Sequence, residues 1–283
     1  MPNEKLHGLF ERTSQSYTLD NRALGWILAD EANPLNRLVH IIPDGATVLD
    51  VGAGNGVLAQ LLRHEKRDVT IDGIEPDPAA AEIARTSYRN LFEGSVETVI
   101  AAGHGMAHYD FIVLADVIEH LPDPERILRL LKERLGRSGK LCVSTPNVAF
   151  ASVRIALLNG EFDYVNSGIL ERTHLRFFTL RSLRRLFDVT LLFPHVTMLL
   201  KRNPLDMEIR LQDFGISPFA FSTLLRDELA SVYQFLFVLG TEAGDTVVTS
   251  HGHAGRAVVL RYLARRLIRR FHGRPRSEPV GEH

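Results

Sequence analysis

The sequence predicts an α/β fold: a doubly wound, mostly parallel sheet of seven strands. Three observations predict it. Short β-rich runs alternate with stretches of helical period, a glycine-rich turn follows the first such run, and Asp-Pro pairs at 77–78 and 123–124 stand where helices should begin. Such alternation implies βαβ crossovers and a twisted parallel sheet. In sheets of this kind ligands bind outside the carboxyl ends of the strands, where the winding reverses.

Residues 1–19 are polar and irregular and read as a flexible N-terminus. Residues 21–42 place Leu24, Ile27, Leu28, Leu35, Leu38 and Ile41 at helical spacing, and Pro34 divides them into two helices. After the turn Pro43-Asp44-Gly45, TVLDV reads as a strand, GAGNG as a loop and VLAQLLRHEK as a helix. VTIDGIE is the second strand. Asp77 is a good N-cap and Pro78 suits the first helical position, where its missing N–H would be unsatisfied anyway. NLFEG is a short third strand. YDFIVLAD, the fourth, is apolar almost throughout, as a parallel strand covered on both faces should be. Asp123-Pro124 repeats the cap-and-proline device and starts ERILRLLKERL. Gly136 and Gly139 then flank a tight turn into KLCVSTP, the fifth strand.

Beyond residue 146, VAFASVRIALLNG reads as helical, NGEFDYVNSGILERTHLRFF as an ordered loop, and LRSLRRLF as a short helix capped by Thr179. DVTLLFPHVTMLL and VYQFLFVLGTE close the sheet, with helical material from about 207 to 232 between them. One domain therefore covers residues 20–243.

Composition excludes several classes. Of 283 residues, 45% are hydrophobic and 24% charged, the profile of an ordinary globular protein. Lys+Arg of 33 against Asp+Glu of 34 leaves a net charge of −1, so no DNA or other polyanionic partner is expected. The single cysteine, Cys142, cannot form an internal disulfide, and its apolar neighbours mark it as a small buried side chain rather than a nucleophile. The N-terminus has no apolar stretch of the secretory kind and no run is long enough to span a bilayer, so a cytoplasmic location is expected. Residues 244–283 form a separate basic tail. Within it, Leu260, Leu263, Ala264, Leu267, Ile268 and Phe271 make one apolar face among arginines, an amphipathic helix over 255–271. Such a helix suits peripheral contact with the inner face of a membrane, or packing on its own domain.

The strongest motif is Asp50-Val51-Gly52-Ala53-Gly54-Asn55-Gly56, directly after a strand. The glycines permit positive φ and close approach of a ligand to the backbone. Their G-x-G-x-G spacing is tighter than that of dinucleotide loops, and no Lys or Arg lies between Val48 and Gln60 to answer a phosphate. An acidic residue ahead of the glycines instead suits a ligand bearing an ammonium group. Glu75, about twenty residues further on at the end of the second strand, can accept hydrogen bonds from both hydroxyls of a ribose.

With VLDVGAGNG, GIEPDP, YDFIVLADVIEHLPDP and LGRSGKLCVSTPN in this order, the chain resembles the class I S-adenosylmethionine-dependent methyltransferases, which have a Rossmann-like fold. The resemblance implies S-adenosylmethionine as cofactor. It assigns Asp50, Gly52, Gly54 and Gly56 to the methionine portion, Glu75 to the ribose and Ala115 to the sulfonium side. Gly94-Ser95 stands where the family often has an acid after the third strand, so the adenine contact falls to Ser95 or to a backbone carbonyl. Residues 147–180 and 204–232 become the elements on the acceptor side.

Methyl transfer from a sulfonium is an in-line displacement, and a hydroxyl acceptor must also lose its proton, which calls for a base or a metal. Asp116, Glu119 and His120 follow the fourth strand, and His174 lies in the loop ERTHLRFFT. His120 is the first candidate for the base, His174 the second, and Glu119 completes the catalytic set. The segment DVIEH also resembles the E-x-x-E-H segment of the quinone O-methyltransferases and the small-RNA 2′-O-methyltransferases. That implies a divalent metal, Mg²⁺ or Mn²⁺, on Asp116, Glu119, His120 and His174, although Asp116 departs from the Glu of the pattern. LLNGEFDYVNSGILERTHLRFFT resembles a segment of bacterial methyltransferases from glycan gene clusters. Its Phe162, Tyr164, Phe177 and Phe178, with Glu171, Arg172 and Arg176, would suit a sugar ring. The reading is therefore an O-methyltransferase acting on a small molecule or glycan; the alternatives are an RNA 2′-O-methyltransferase or a non-catalytic cofactor-binding partner protein.

Overall fold

The computed structural model describes residues 21–65, 67–104, 108–203, 223, 224 and 226–252. The expected flexible N-terminus (1–19), most of the expected helical material at 204–232 and the expected basic helix at 255–271 lie outside them.

Two helices, α1 (Asn21–Ala29) and α2 (Pro34–Ile41), precede the sheet. Then follow β1 (Thr47–Val51), α3 (Val57–His64), β2 (Thr70–Glu75), α4 (Pro78–Ala84), β3 (Asn90–Glu93), α5 (Val96–Ala101), β4 (Tyr109–Ala115), α6 (Pro124–Lys132) and β5 (Leu135–Pro146). The remainder comprises α7 (Ala151–Leu158), α8 (Leu180–Thr190), β6 (Phe193–Lys201), β7 (Val232–Gly240) and β8 (Val247–Gly252). The strands lie in the order β3-β2-β1-β4-β5-β7-β6-β8. The pairs from β3 through to β5 are parallel, β7 runs antiparallel to β5 and β6, and β8 is parallel to β6. The winding therefore reverses between β1 and β4, the place where sheets of this kind bind their ligands.

The helix starts follow from local chemistry. Asn33, Asp77 and Asp123 each accept a hydrogen bond from a backbone N–H of the first turn, with proline next in the chain. Thr179 and Ser182 form a reciprocal capping pair at α8. The strands alternate between two cores, one on each face of the sheet. Leu49, Val51, Ile112, Leu114, Leu141 and Val143 face α6 and α8, while Val48, Val113 and Cys142 face α2 and α3. Burial pushes the Cys142 thiol up to about 12, which leaves it inert as a nucleophile.

Three expectations are corrected. Among the described residues the sheet has eight strands, not seven: β8 lies in what reads as a tail, so the sheet takes in residues beyond 243. Its Val247 and Val248 are more than half exposed, so it lacks the alternation that marks a buried strand. The glycines at 136 and 139 make an irregularity within one long strand rather than a turn before it, since Leu135 pairs with Tyr109 and Lys140 next with Phe111. A Cβ on Gly139 would stand 2.8 Å from the Tyr109 carbonyl oxygen, so only glycine fits there. Finally, α8 takes in Asp188–Thr190, and Leu191 at φ 54° ends it before β6 begins. No helix among the described residues is long and apolar enough to cross a membrane.

Candidate active site

The glycine loop joins β1 to α3, with Gly52, Gly54 and Gly56 at φ of 74°, 52° and 79°. Non-glycine residues rarely adopt these values. Gly52 and Ala53 donate their N–H groups to the Ile74 carbonyl, 2.8 and 3.0 Å away, which locks the loop onto β2. A Cβ on Gly52 would lie 2.6 Å from Cγ2 of Val117, so this loop and the one after β4 touch. A Cβ on Gly54 would meet nothing within 4 Å, which leaves open space above the middle of the loop.

Glu75 is buried at the end of β2. Its Oε2 accepts from the Gly54 N–H at 2.6 Å and its Oε1 from the Asp77 N–H at 2.8 Å. The carboxylate thus braces the glycine loop, with one lone pair per oxygen left for a ribose. Asp50 is 3% exposed and accepts a 2.7 Å hydrogen bond from the Tyr88 hydroxyl. Burial pushes its carboxyl up to about 6; the Tyr88 hydroxyl partly offsets this and the Glu75 charge adds to it. Tyr88 stands in no motif, and nothing in the run Thr86-Ser87-Tyr88 signals it. Ser95 caps α5: its hydroxyl oxygen accepts from the Thr98 N–H at 3.3 Å and lies 3.2 Å from the Thr98 hydroxyl. That capping role accounts for the serine at this place without an adenine. Ala115 ends β4 opposite Ser144 of β5.

Beyond Ala115 the chain turns at Asp116, a non-glycine residue at φ 57°. Backbone strain of this kind persists only where the surroundings hold it. Here Ser144 accepts from the Asp116 N–H at 3.0 Å and donates to Oδ1 at 2.8 Å, while Gln234 of β7 donates to the same oxygen. The turn Ile118–His120 follows. Its Glu119 carbonyl accepts from the N–H groups of Leu175 (2.8 Å) and Arg176 (3.0 Å), which clamps the loop carrying His174 against the end of β4.

Glu119, His120 and His174 converge there: their ligand atoms lie within 4.8 Å of one another. The two rings meet edge to face, with centroids 4.8 Å apart. Nδ1 of His120 lies 3.2 Å from the Thr173 carbonyl oxygen, and Nδ1 of His174 lies 2.9 Å from that of Ile169. A carbonyl only accepts, so both Nδ1 atoms carry the proton and each Nε2 keeps its lone pair when the ring is neutral. Burial holds His174 below the usual imidazole value, and the neighbouring His120 adds to this. Glu119 is 2% exposed, and among the described residues neither carboxylate oxygen completes a well-formed hydrogen bond, although its own backbone and the buried Thr145 hydroxyl lie near enough to lower its pKa in part. Burial raises its carboxyl well above the ordinary value, and the Asp116 charge raises it further.

An orphaned buried carboxylate beside two imidazole lone pairs fits a divalent cation. Among the described residues Asp116 does not join this set, which corrects the four-residue expectation; Ser144 and Gln234 hold its carboxylate instead. With two nitrogens and one carboxylate, the donors favour Mn²⁺ or Zn²⁺ over the all-oxygen preference of Mg²⁺. Outward from His174, Phe177 is 6.3 Å away by ring centroid, and Phe162 and Tyr164 pack edge to face beyond it. Both outer rings remain more than a third exposed. Phe178 instead belongs to the main core, and Arg176 donates to the Pro122 carbonyl at 2.5 Å.

Comparison with known proteins agrees with this fold. Residues 28–190 match the family model described as a methyltransferase domain. A ubiquinone biosynthesis O-methyltransferase of Xanthomonas axonopodis is 33% identical over 128 residues, 42% of this chain and 51% of that protein. One from Pectobacterium carotovorum is 30% identical over 156 residues, 48% of this chain and 62% of that protein. The chain thus matches about half to three-fifths of the length of these curated relatives. Among solved structures, a SAM-dependent methyltransferase from Thermotoga maritima superposes with a TM-score of 0.50 at 18% identity, covering 77% of this chain and 92% of that one. Another, from Archaeoglobus fulgidus, has the same TM-score at 14% identity, covering 74% and 91%. These likenesses establish the fold.

Proposed function

The chain belongs to the methyltransferase-domain family, and from that premise we propose that it transfers the methyl group of S-adenosylmethionine to a hydroxyl. One observation carries the choice of oxygen: the convergence of Glu119 with the His120 and His174 lone pairs at the carboxyl end of β4. An amine acceptor need only arrive unprotonated, whereas a hydroxyl needs a group that takes its proton.

When bound, S-adenosylmethionine supplies an electrophilic methyl group on sulfur. Asp50 would hold the ammonium, the backbone of Gly52–Gly56 the methionine portion, and Glu75, with its remaining lone pairs, the ribose hydroxyls. Holding the acceptor oxygen in line with the methyl group provides much of the rate. His120 Nε2 takes the acceptor's proton, with Nδ1–H fixed on Thr173 so that the lone pair keeps its direction. His174 stands ready for the same role, and Glu119 lines the site beside both rings, its ligand atom within 4.8 Å of theirs. A cation held by these three residues would supply the alternative, lowering the pKa of the hydroxyl.

The exposed rings of Phe162 and Tyr164 favour an acceptor with a flat or ring-shaped face. The relatives named for ubiquinone biosynthesis support a phenolic hydroxyl. A saccharide hydroxyl is the second reading, favoured by the charged edge of the same loop, Glu171 and Arg172.

The test supplies S-adenosylmethionine labelled in the methyl group to the full chain, with a set of catechols, a cell-envelope glycan extract, or total RNA, each with and without EDTA. Label in the catechols or the glycans supports O-methylation. Label in RNA alone favours the nucleic-acid enzyme, and no turnover in any arm favours a non-catalytic binder. Activity lost in EDTA and restored by Mn²⁺ or Zn²⁺ supports the cation; full activity in chelator leaves the proton to the imidazoles.

A further inference from the structure

We propose that Tyr88 is a positioning residue for the cofactor, its hydroxyl orienting the Asp50 carboxylate so that the free edge of that group meets the cofactor's ammonium. This rests on the reading of Asp50 as the ammonium's partner. Tyr88 lies between α4 and β3, outside every motif that marks the family, yet its ring runs under the glycine loop. A Cβ on Gly73 would stand 2.5 Å from Leu91 Cδ1 and 3.0 Å from that ring, and one on Gly56 3.3 Å from both the ring and Ala84 Cβ. Glycines on two separate elements thus leave the space the ring occupies. Its hydroxyl donates to Oδ2 of Asp50 at 2.7 Å, and among the described residues no other side-chain hydrogen bond reaches that carboxylate.

The arrangement does more than fill space. The titratable groups facing Asp50 are Tyr88 and Glu75, one a donor and the other a like charge. A carboxylate attracts an ammonium only when ionised, and burial already favours its protonated form. The Tyr88 hydroxyl opposes that tendency by donating to the ionised form, and it fixes which oxygen is left free. The ring's place does not depend on the hydroxyl. The next residue, Arg89, donates through Nε to Asp72 at 3.0 Å, and its N–H donates to the Ile71 carbonyl at 2.8 Å. Tyr88→Phe therefore keeps the packing and loses the hydrogen bond alone.

The test titrates the full chain and Tyr88→Phe with S-adenosylhomocysteine and with 5′-methylthioadenosine across a pH range of about 5 to 9. The second compound has the nucleoside and thioether but no ammonium group. Tyr88→Phe should weaken S-adenosylhomocysteine about tenfold at neutral pH and change methylthioadenosine by less than about twofold. The pH below which S-adenosylhomocysteine affinity falls should also move upward, because Asp50 loses the donor that favours its charge. Equal weakening of both ligands would mean the hydroxyl serves only the loop's shape, and unchanged affinity for both would mean it does nothing for Asp50; either overturns the proposal. A native chain that binds neither compound would overturn the cofactor reading itself, an outcome distinct from these.

Discussion

His174→Ala is expected to lower kcat by about 10²–10⁴-fold while leaving affinity for S-adenosylhomocysteine within about twofold. The ring lies at the acceptor cluster after β4, not on the glycine loop, so its loss should fall on the chemical step rather than on cofactor binding. His120→Ala should behave alike, and the double variant should be little worse than the weaker single one, because both groups serve one proton. Single-turnover kinetics and calorimetry together check this. The pH profile tests the His174 role. Burial holds His174 below the ordinary imidazole value, so if it takes the proton, activity persists into acid beyond that value. A double variant with the native rate would remove the cluster from the chemistry.

Glu119→Met should act in opposite directions on stability and activity. Among the described residues neither oxygen of the buried Glu119 carboxylate completes a well-formed hydrogen bond, an arrangement that costs free energy. Replacing it with an unbranched apolar side chain should stabilise the fold by about 1–3 kcal/mol in chelator, which raises Tm by about 2–4 °C per kcal/mol. Methyl transfer should fall by about 10²-fold. The pH dependence has a definite sign. The folded-state value of Glu119 is raised, so between the ordinary carboxylate value and the raised one the folded state binds more protons than the unfolded state. Native stability therefore declines as pH climbs through that window, and the variant should lose this decline. Thermal melts of both chains on either side of the window decide it. A destabilised variant would mean that the carboxylate has a structural partner after all.

Such a residue explains how much of the site was legible in the sequence. Asp50, the glycines, Glu75 and the segment Asp116–His120 announce themselves because strand ends, turns and helix starts each demand particular residues at close spacing. The cap-and-proline pairs at 77–78 and 123–124 work through neighbours one to three residues away, so the sequence displays them directly. What it does not display are partners brought from afar. Tyr88 reaches Asp50 across 38 residues, and Gln234 reaches Asp116 across 118. Neither has a local pattern, and together they change what the motif acids do. Gln234 and Ser144 hold the Asp116 carboxylate apart from the cluster of Glu119, His120 and His174, and the capping of α5 supplies another use for Ser95. β8 escaped notice for a related reason: an edge strand with exposed valines has no buried face to impose alternation.

The central claim is that the loop at 50–56, braced by Glu75, grips a sulfonium nucleoside rather than a phosphate-bearing one. Isothermal titration of the purified chain with S-adenosylmethionine, S-adenosylhomocysteine and NAD tests it directly. Saturable heat with the first two and none with NAD is the predicted result. Saturable heat with NAD and none with either sulfur compound would contradict it.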